Sequence, residues 1–279
     1  MTASGRGLPA LLKAAGMPRS TYYFELSRRG IGPKDGELIA AIRAIFDENK
    51  GRYGVRRVSA EPRNLGVKAN HKKVQRIMRS LRLKGKRAKT KYHSYMGTVG
   101  KVCGNLVDRD FSASRPNEKW TTDVSEFACP FGKAYLSPVL DMYGTDVVAW
   151  DLSLHPGFDQ TMRMLDAAFA ANPDVRGLVF HSDQGWQYQM REYGRRLAER
   201  GVVQSMSRKG NCIDNCVMET FFAAIKREML YGHESEFRTF EELRSAIAEY
   251  IDYYNNRRIK AKTKWMPPAK YREASIGAR

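Results

Sequence analysis

Cysteine and histidine are scarce in this chain of 279 residues, which has four Cys and five His. No Cys-x-x-Cys spacing occurs among Cys103, Cys129, Cys212 and Cys216, and the histidines form no companion ligand pair, so a zinc site and a disulfide framework are both disfavoured against free thiols. No apolar run reaches the roughly 18 residues that a membrane span needs, which excludes a membrane partner on these terms. The basic N-terminus has neither a long apolar region nor a small-residue cleavage site, so no secretory signal is expected and a cytoplasmic location follows. A sustained heptad run is also missing, and with it an internal coiled coil. The last scarcity is local: residues 1–115 hold 26 Lys+Arg but only 8 Asp+Glu, whereas residues 116–279 hold 22 of each. The whole net charge of +18 therefore lies in the first part, which suits a phosphate-gripping module joined to a neutral domain with another task.

Within the basic part, a first helical stretch around residues 8–26 ends at Gly30, Gly32 and Pro33. Leu38, Ile39, Ile42, Ile45 and Phe46 then fall on one helical face over 37–49, and a second helix is expected over about 55–65, with Pro62 an obstacle inside it. After a turn at Gly66, Asn70 caps a third helix in which Val74, Ile77, Met78 and Leu81 face inward and Lys72, Lys73, Arg76 and Arg79 face out. This is a helix-turn-helix pattern. Ten of the 20 residues from Lys72 to Lys91 are Lys or Arg, so the third helix and the arm carrying Lys84, Lys86 and Arg87 are candidate DNA contacts, with Arg56 and Arg57 on the helix before. The expected domains are an N-terminal helical segment at 1–33, the helix-turn-helix domain at 34–91 and a basic linker at 92–115.

From Lys119 the pattern becomes strand-like. Segments 120–127, 134–142 and 146–154 read as an antiparallel three-strand meander, with Asp123 inside the first strand. A helix at 159–171, a buried strand at 177–180 with Asp183 just beyond it, a helix at 186–200, a short strand at 202–205 and a mobile polar loop at 207–211 follow. Glu219 then lies on a helix beginning near Asp214, at the border of a stripe formed by Val217, Met218, Phe221, Phe222, Ile225 and Met229. Lys226, two turns later, projects from the same side. A Thr239–Glu242 capping box opens the last helix, and a basic tail from Arg257 to Lys264 ends the ordered pattern before Pro267 and Pro268. These parts divide into a catalytic core at 116–232 and a C-terminal helix and tail at 233–279.

Asp123, Asp183 and Glu219 are the candidate catalytic and metal-binding residues, with 35 residues between the last two. Singly, each reads as a strand-end charge, a turn residue or an exposed helix acid. Together, in strand, strand-end and helix order, they match what two divalent cations need to activate and cleave a phosphodiester. Carboxylates suit Mg²⁺, a hard ion that prefers oxygen, and Mn²⁺ is expected to substitute for it. Asp141, Asp151 and Asp214 are decoys in the same domain, Asp214 being read as a helix N-cap. His181 is read as a structural hydrogen-bonding residue more than a metal-water partner; Trp186 and Tyr188 are read equally as base-stacking or core residues.

WTTDVSEF at 120–127, HSDQGWQY at 181–188, SRKGNCIDNCVMETFFAAIKRE at 207–228 and YYNNRRIKAK at 253–262 closely resemble the transposases of the insertion-sequence-three family, specifically its second-reading-frame protein. NKGRYGVRRVSAE at 49–61 and NHKKVQRIMRSLRLKGKR at 70–87 resemble that family's helix-turn-helix segment, so the likeness spans about residues 8–273. Pro62 departs from the family's usual Leu, and Thr263–Trp265 from its common sequence. The resemblance implies a ribonuclease H-like, integrase-like catalytic domain of the α/β class, with a mixed five-stranded sheet and flanking helices, preceded by the α-helical domain. It implies Asp123, Asp183 and Glu219 as a DDE triad binding two Mg²⁺, with Lys226 as the accompanying base. It further implies cleavage and strand transfer on double-stranded DNA, at terminal inverted repeats and target, by a homo-oligomer assembled on DNA. A first-reading-frame product or fusion is a further implied partner. Arg257 and Arg258, in the last block, complete the expected DNA contacts. A DNA-binding regulator with an inactive catalytic domain and a metal-dependent ribonuclease are the competing readings.

Overall fold

The computed structural model describes residues 8–28, 35–64, 70–86, 102–208 and 212–276. They fall into two compact units, 1–86 and 87–279. No described helix is long and apolar enough to cross a membrane.

In the first unit the helical stretch is two helices, α1 (Leu8–Ala14) and α2 (Arg19–Arg28), parted by a turn in which Gly16 takes a left-handed φ of +60°. Three more helices follow, α3 (Gly36–Glu48), α4 (Val55–Asn64) and α5 (His71–Ser80). Their apolar faces meet as the periodicity requires: Ile42, Ile45, Tyr53, Val58, Val74, Ile77 and Met78 are buried, while Leu81 is half-buried. Asn70 caps α5 by accepting from the Lys72 backbone N–H at 2.9 Å. Pro62 lies inside α4, near the end of its described span at Asn64. The breaks expected at Gly30–Pro33 and Gly66 lie outside the described residues.

The second unit is built on a mixed sheet of β1 (Lys119–Thr122), β2 (Ser125–Cys129), β3 (Gly132–Asp141), β4 (Val147–Ser153), β5 (Val179–Ser182) and β6 (Val203–Met206). Both β1 and β2 run antiparallel to β3 in one register: Thr122 faces Val139 and Ser125 faces Leu136, three residues on along each strand. They are two halves of one strand interrupted at Asp123 and Val124, so the sheet has the expected five positions, in the order β4, β3, β1/β2, β5, β6. β5 pairs parallel to β1, and β6 parallel to β5. This is the ribonuclease H-like arrangement.

One face of the sheet is covered by α6 (Phe158–Ala171) and α7 (Arg191–Glu199). Trp120, Val139 and Phe180 from the strands meet Met164, Leu165, Phe169, Tyr193 and Leu197 in one core. The helix expected over 186–200 is a 3₁₀ turn at Trp186–Gln189 followed by α7. α8 (Cys216–Ile225) packs against β1 and α9 (Phe240–Asn256) against β4. Phe221 meets Tyr254 edge-on at 5.0 Å, and the Asn255 amide exchanges two 2.9 Å hydrogen bonds with the backbone of Val147. The capping box of α9 forms as expected.

Two stretches are more ordered than their composition suggests. Residues 102–110, read as linker, lie along β6: Met206 N–H donates to Gly104 O, Leu106 N–H to Ser205 Oγ, and Val107 is buried. The remainder of the expected linker up to residue 101 lies outside the described residues. The basic tail also does not end the order. Pro268 opens a further helix, α10 (Pro268–Ile276), as a proline can in a first helical turn. From α10, Arg272 donates to Asp141, Asp146, Asn117 and Asn172.

Candidate active site

Strand alternation selects the site's face. Trp120 and Phe180 are paired and point into the α6–α7 core, so Thr121 and His181, also paired, point to the opposite side. Asp123 and Asp183 each follow that pair by two residues. They emerge at matching levels from the C-terminal ends of neighbouring parallel strands, about 4.8 Å apart, where ligands gather in open α/β sheets. Asp123 lies in the interruption rather than inside a strand; its Oδ1 accepts the Val124 N–H at 2.7 Å. Asp183 Oδ1 accepts the Gly185 N–H at 2.8 Å, and a side chain at 185 would press on that carboxylate, since a Cβ there would lie 2.9 Å from Oδ1. The third acid comes from the covering layer: Glu219 is half-buried near the start of α8, whose neighbours Met218, Phe221 and Phe222 are buried.

Asp123 senses both of the other carboxylates. Burial pushes the Asp123 carboxyl well above the usual range, the Asp183 charge adds to this, and Glu219 adds less. Burial likewise raises Asp183 and Glu219. Among the described residues no three His, Cys, Asp or Glu side chains are already gathered to hold an ion, so Glu219 stands within electrostatic range of Asp123 and short of shared ligation. Lys226 supplies a nearby cation. Its Nζ donates to Ser125 Oγ at 2.7 Å and sits 5.1 Å from the Phe127 ring centre, both on β2 just past Asp123. Burial lowers Lys226, and the charges of Glu126 and Asp123 oppose that shift.

His181 is structural. Its ring is buried, with Nδ1 2.9 Å from Ser205 Oγ and Nε2 3.1 Å from Asp214 O. Leu106 N–H already donates to Ser205 Oγ, which fits a hydroxyl donating to Nδ1 and an Nε2–H donating to the carbonyl. Tyr188 is core, and burial with the charges of Asp123 and Asp183 raises its phenol; Trp186 is half-buried. Asp214 corrects the N-cap expectation. Asn215 holds the cap position, and the buried Asp214 carboxylate instead accepts from Arg208 Nε, Arg109 Nε and Asn105 Nδ2. Arg208 belongs to the loop expected to be mobile, yet it and Ser207 are tied down; residues 209–211 lie outside the described residues.

The expected DNA contacts separate. Arg56, Lys72, Arg76, Arg79, Lys84 and Arg257 are exposed. Arg57 lies over the Tyr53 ring at 5.3 Å, Lys73 pairs with the buried Asp35 at 2.6 Å, and Lys86 is half-buried. Arg87 lies outside the described residues. Arg258 corrects the expectation. It is 5% exposed, and its guanidinium bridges both oxygens of the buried Glu228 at 2.7 and 2.9 Å, leaving no face for phosphate. Tyr250 donates to the same carboxylate at 3.0 Å, and the cluster locks the π-helical turn Lys226–Leu230 onto α9. Sequence reasoning passed over Asn215, whose Nδ2 donates to Asp123 Oδ2 at 3.0 Å. Its place four residues before Glu219 was the available signal.

Family models of an integrase core domain match residues 113–212 and 219–276, and an HTH-like domain model matches residues 33–91. The protein InsK of Escherichia coli, named as a transposase for insertion sequence element IS150, is 47% identical over 265 residues, covering 95% of this chain and 93% of that protein. The transposase for insertion sequence element IS904 of Lactococcus lactis is 34% identical, with 83% and 91% covered. Transposase InsF for insertion sequence IS3A of E. coli is 32% identical, with 78% and 75% covered. Among solved structures, the HTLV-2 integrase catalytic core domain in complex with magnesium is 14% identical, covers 57% of this chain and 98% of its own, and superposes with a TM-score of 0.47.

Proposed function

Because this chain belongs to the insertion-sequence-three family of transposases, we propose that it binds the terminal inverted repeats of an insertion element and cuts and rejoins DNA at one site formed by Asp123, Asp183 and Glu219. An integrase core domain joined to an HTH-like domain makes it a DNA-binding polynucleotidyl transferase. The observation that carries the finer reading is the convergence of Asp123 and Asp183 at the ends of neighbouring parallel strands, where burial raises both carboxyls and the Asp183 charge raises Asp123 further. Like charges held together in a buried place call for a cation between them.

The donor set fits divalent magnesium: three carboxylates supply hard oxygens, and the His181 ring is committed elsewhere. Asp123, Asp183 and Glu219 would hold two ions, with Mn²⁺ as a substitute, and the ions supply Lewis-acid activation of an attacking oxygen and stabilisation of a leaving one. The chain's own residues do the positioning. The β1–β5 register fixes the two aspartates, α8 carries Glu219 within electrostatic reach of Asp123, and Lys226 offers a cation to a phosphate oxygen beside Asp123. Water as nucleophile frees a 3′-hydroxyl, which then attacks a second phosphodiester in the same site. Synapsis of two ends calls for a homo-oligomer, and a first-reading-frame product or fusion is the further partner; the action belongs on chromosomal DNA in the cytoplasm.

Incubation of the full chain with a labelled element end and Mg²⁺ or Mn²⁺ tests this reading. Nicked ends followed by products joined to a second duplex are expected. Binding without cleavage would favour the inactive regulator, and cleavage of RNA without DNA joining would favour a ribonuclease.

A further inference from the structure

We infer that Asn215 is a positioning residue that clamps the Asp123 strand to the start of the Glu219 helix, so that the site assembles only when the 212–215 turn is in place. The inference rests on the proposed carboxylate site and adds a residue to it. Asn215 is 8% exposed and holds the N-cap position of α8, yet it makes no side-chain capping bond. An asparagine there ordinarily turns its oxygen onto the helix's own N–H groups. Here both ends of the amide go to the neighbouring strand: Nδ2 donates to Asp123 Oδ2 at 3.0 Å, and Thr121 Oγ1 lies 3.5 Å from Oδ1, the orientation that leaves Nδ2 facing the carboxylate.

The contact orients Asp123 without using it up. Each carboxylate oxygen has about two lone pairs. Val124 N–H takes one on Oδ1 and Asn215 one on Oδ2, which leaves one on each oxygen for a ligand. Partners that orient a ligating group in this way typically change metal affinity by about 10–100-fold when removed. The adjoining residue ties the same turn to the other aspartate's strand, because His181, two residues before Asp183, meets the Asp214 carbonyl. One turn of chain thus touches both aspartate-bearing strands and leads directly into the helix that carries Glu219.

The test uses full-length Asn215→Ala and the isosteric Asn215→Asp, with Asp183→Asn as a control. The half-saturating Mg²⁺ concentration for end cleavage and the metal-free amide hydrogen exchange across residues 212–220 are measured together with melting temperature and end binding. Asn215→Ala should raise the Mg²⁺ requirement by about tenfold or more and speed exchange across 212–220, with end binding retained. Asn215→Asp, which keeps the shape but replaces the Nδ2 donor by a carboxylate that repels Asp123, should speed the metal-free exchange across 212–220 at least as much. An unchanged Mg²⁺ requirement in Asn215→Ala, or a lowered melting temperature alone, overturns the inference. Loss of activity in Asp183→Asn beside normal Asn215 variants rejects only the clamp; full activity in Asp183→Asn rejects the carboxylate site itself, and the exchange measurement still reports on the clamp.

Discussion

Asp183→Asn should reduce end cleavage and strand transfer by about a thousandfold or more, because loss of several kcal/mol of charge stabilisation costs tenfold for each 1.36 kcal/mol. End binding should stay within about twofold, since most of the excess positive charge, +14 of the +18, lies in residues 1–86. The substitution is nearly isosteric, and an amide oxygen at Oδ1 can still accept the Gly185 N–H, so the β5 turn keeps its hydrogen bond. Its effect on stability has a definite sign. The Asp183 charge is the second-largest influence raising Asp123, so neutralising it lowers the Asp123 carboxyl towards its ordinary range and relieves repulsion in the metal-free fold. An inactive protein that melts no lower than the wild type is the expected pair of results, measured by gel assay and thermal unfolding. A variant that still joins ends would remove Asp183 from the site.

The second large effect belongs to α5. Lys72, Arg76 and Arg79 fall at i, i+4 and i+7, forming one exposed stripe opposite the buried Val74, Ile77 and Met78. Lys73 lies off that stripe and is held by Asp35, with Arg76 more loosely paired to the same acid at 3.7 Å. If the stripe tracks phosphates, replacing all three by Ala lowers the slope of log K against log salt by about 0.9 for each lost contact. The affinity loss should be nearly the same for element-end and unrelated DNA. Fluorescence anisotropy across a salt series measures both quantities. An unchanged slope would mean that α5 faces something other than the DNA backbone, whereas a loss confined to element-end DNA would mean that these residues read bases.

What sequence could show depended on how local the cause was. The helices of the first unit follow from apolar spacing, and the three candidate carboxylates from short motifs, although Asp123 lies in a strand interruption rather than inside the expected strand. Asp214 looked like a helix cap because its neighbours in sequence allow that role. Of its real partners, Arg208 lies 6 positions earlier but Arg109 and Asn105 lie 105 and 109 positions away. Arg258 was misread for a similar reason: a basic run suggests phosphate, but the buried Glu228 that claims it is 30 residues earlier. A buried pair of this kind is costly to break, at about 3–5 kcal/mol when one partner is removed, so charge alone is a poor guide there. Asn215 required both the N-cap geometry and the Asp123 contact to be seen together.

Ligation of metal by the carboxylates is tested most directly by changing the chemistry of one of them. Asp183→Cys places a soft thiolate where a hard oxygen stood, and such a ligand discriminates against Mg²⁺ in favour of softer divalent ions. End cleavage by this variant should be lost in Mg²⁺ and recovered, at least in part, in Mn²⁺ or Cd²⁺, while the wild type works in Mg²⁺. Cleavage by Asp183→Cys in Mg²⁺ at the wild-type rate, or the same loss in every metal, would contradict a metal-binding role for Asp183.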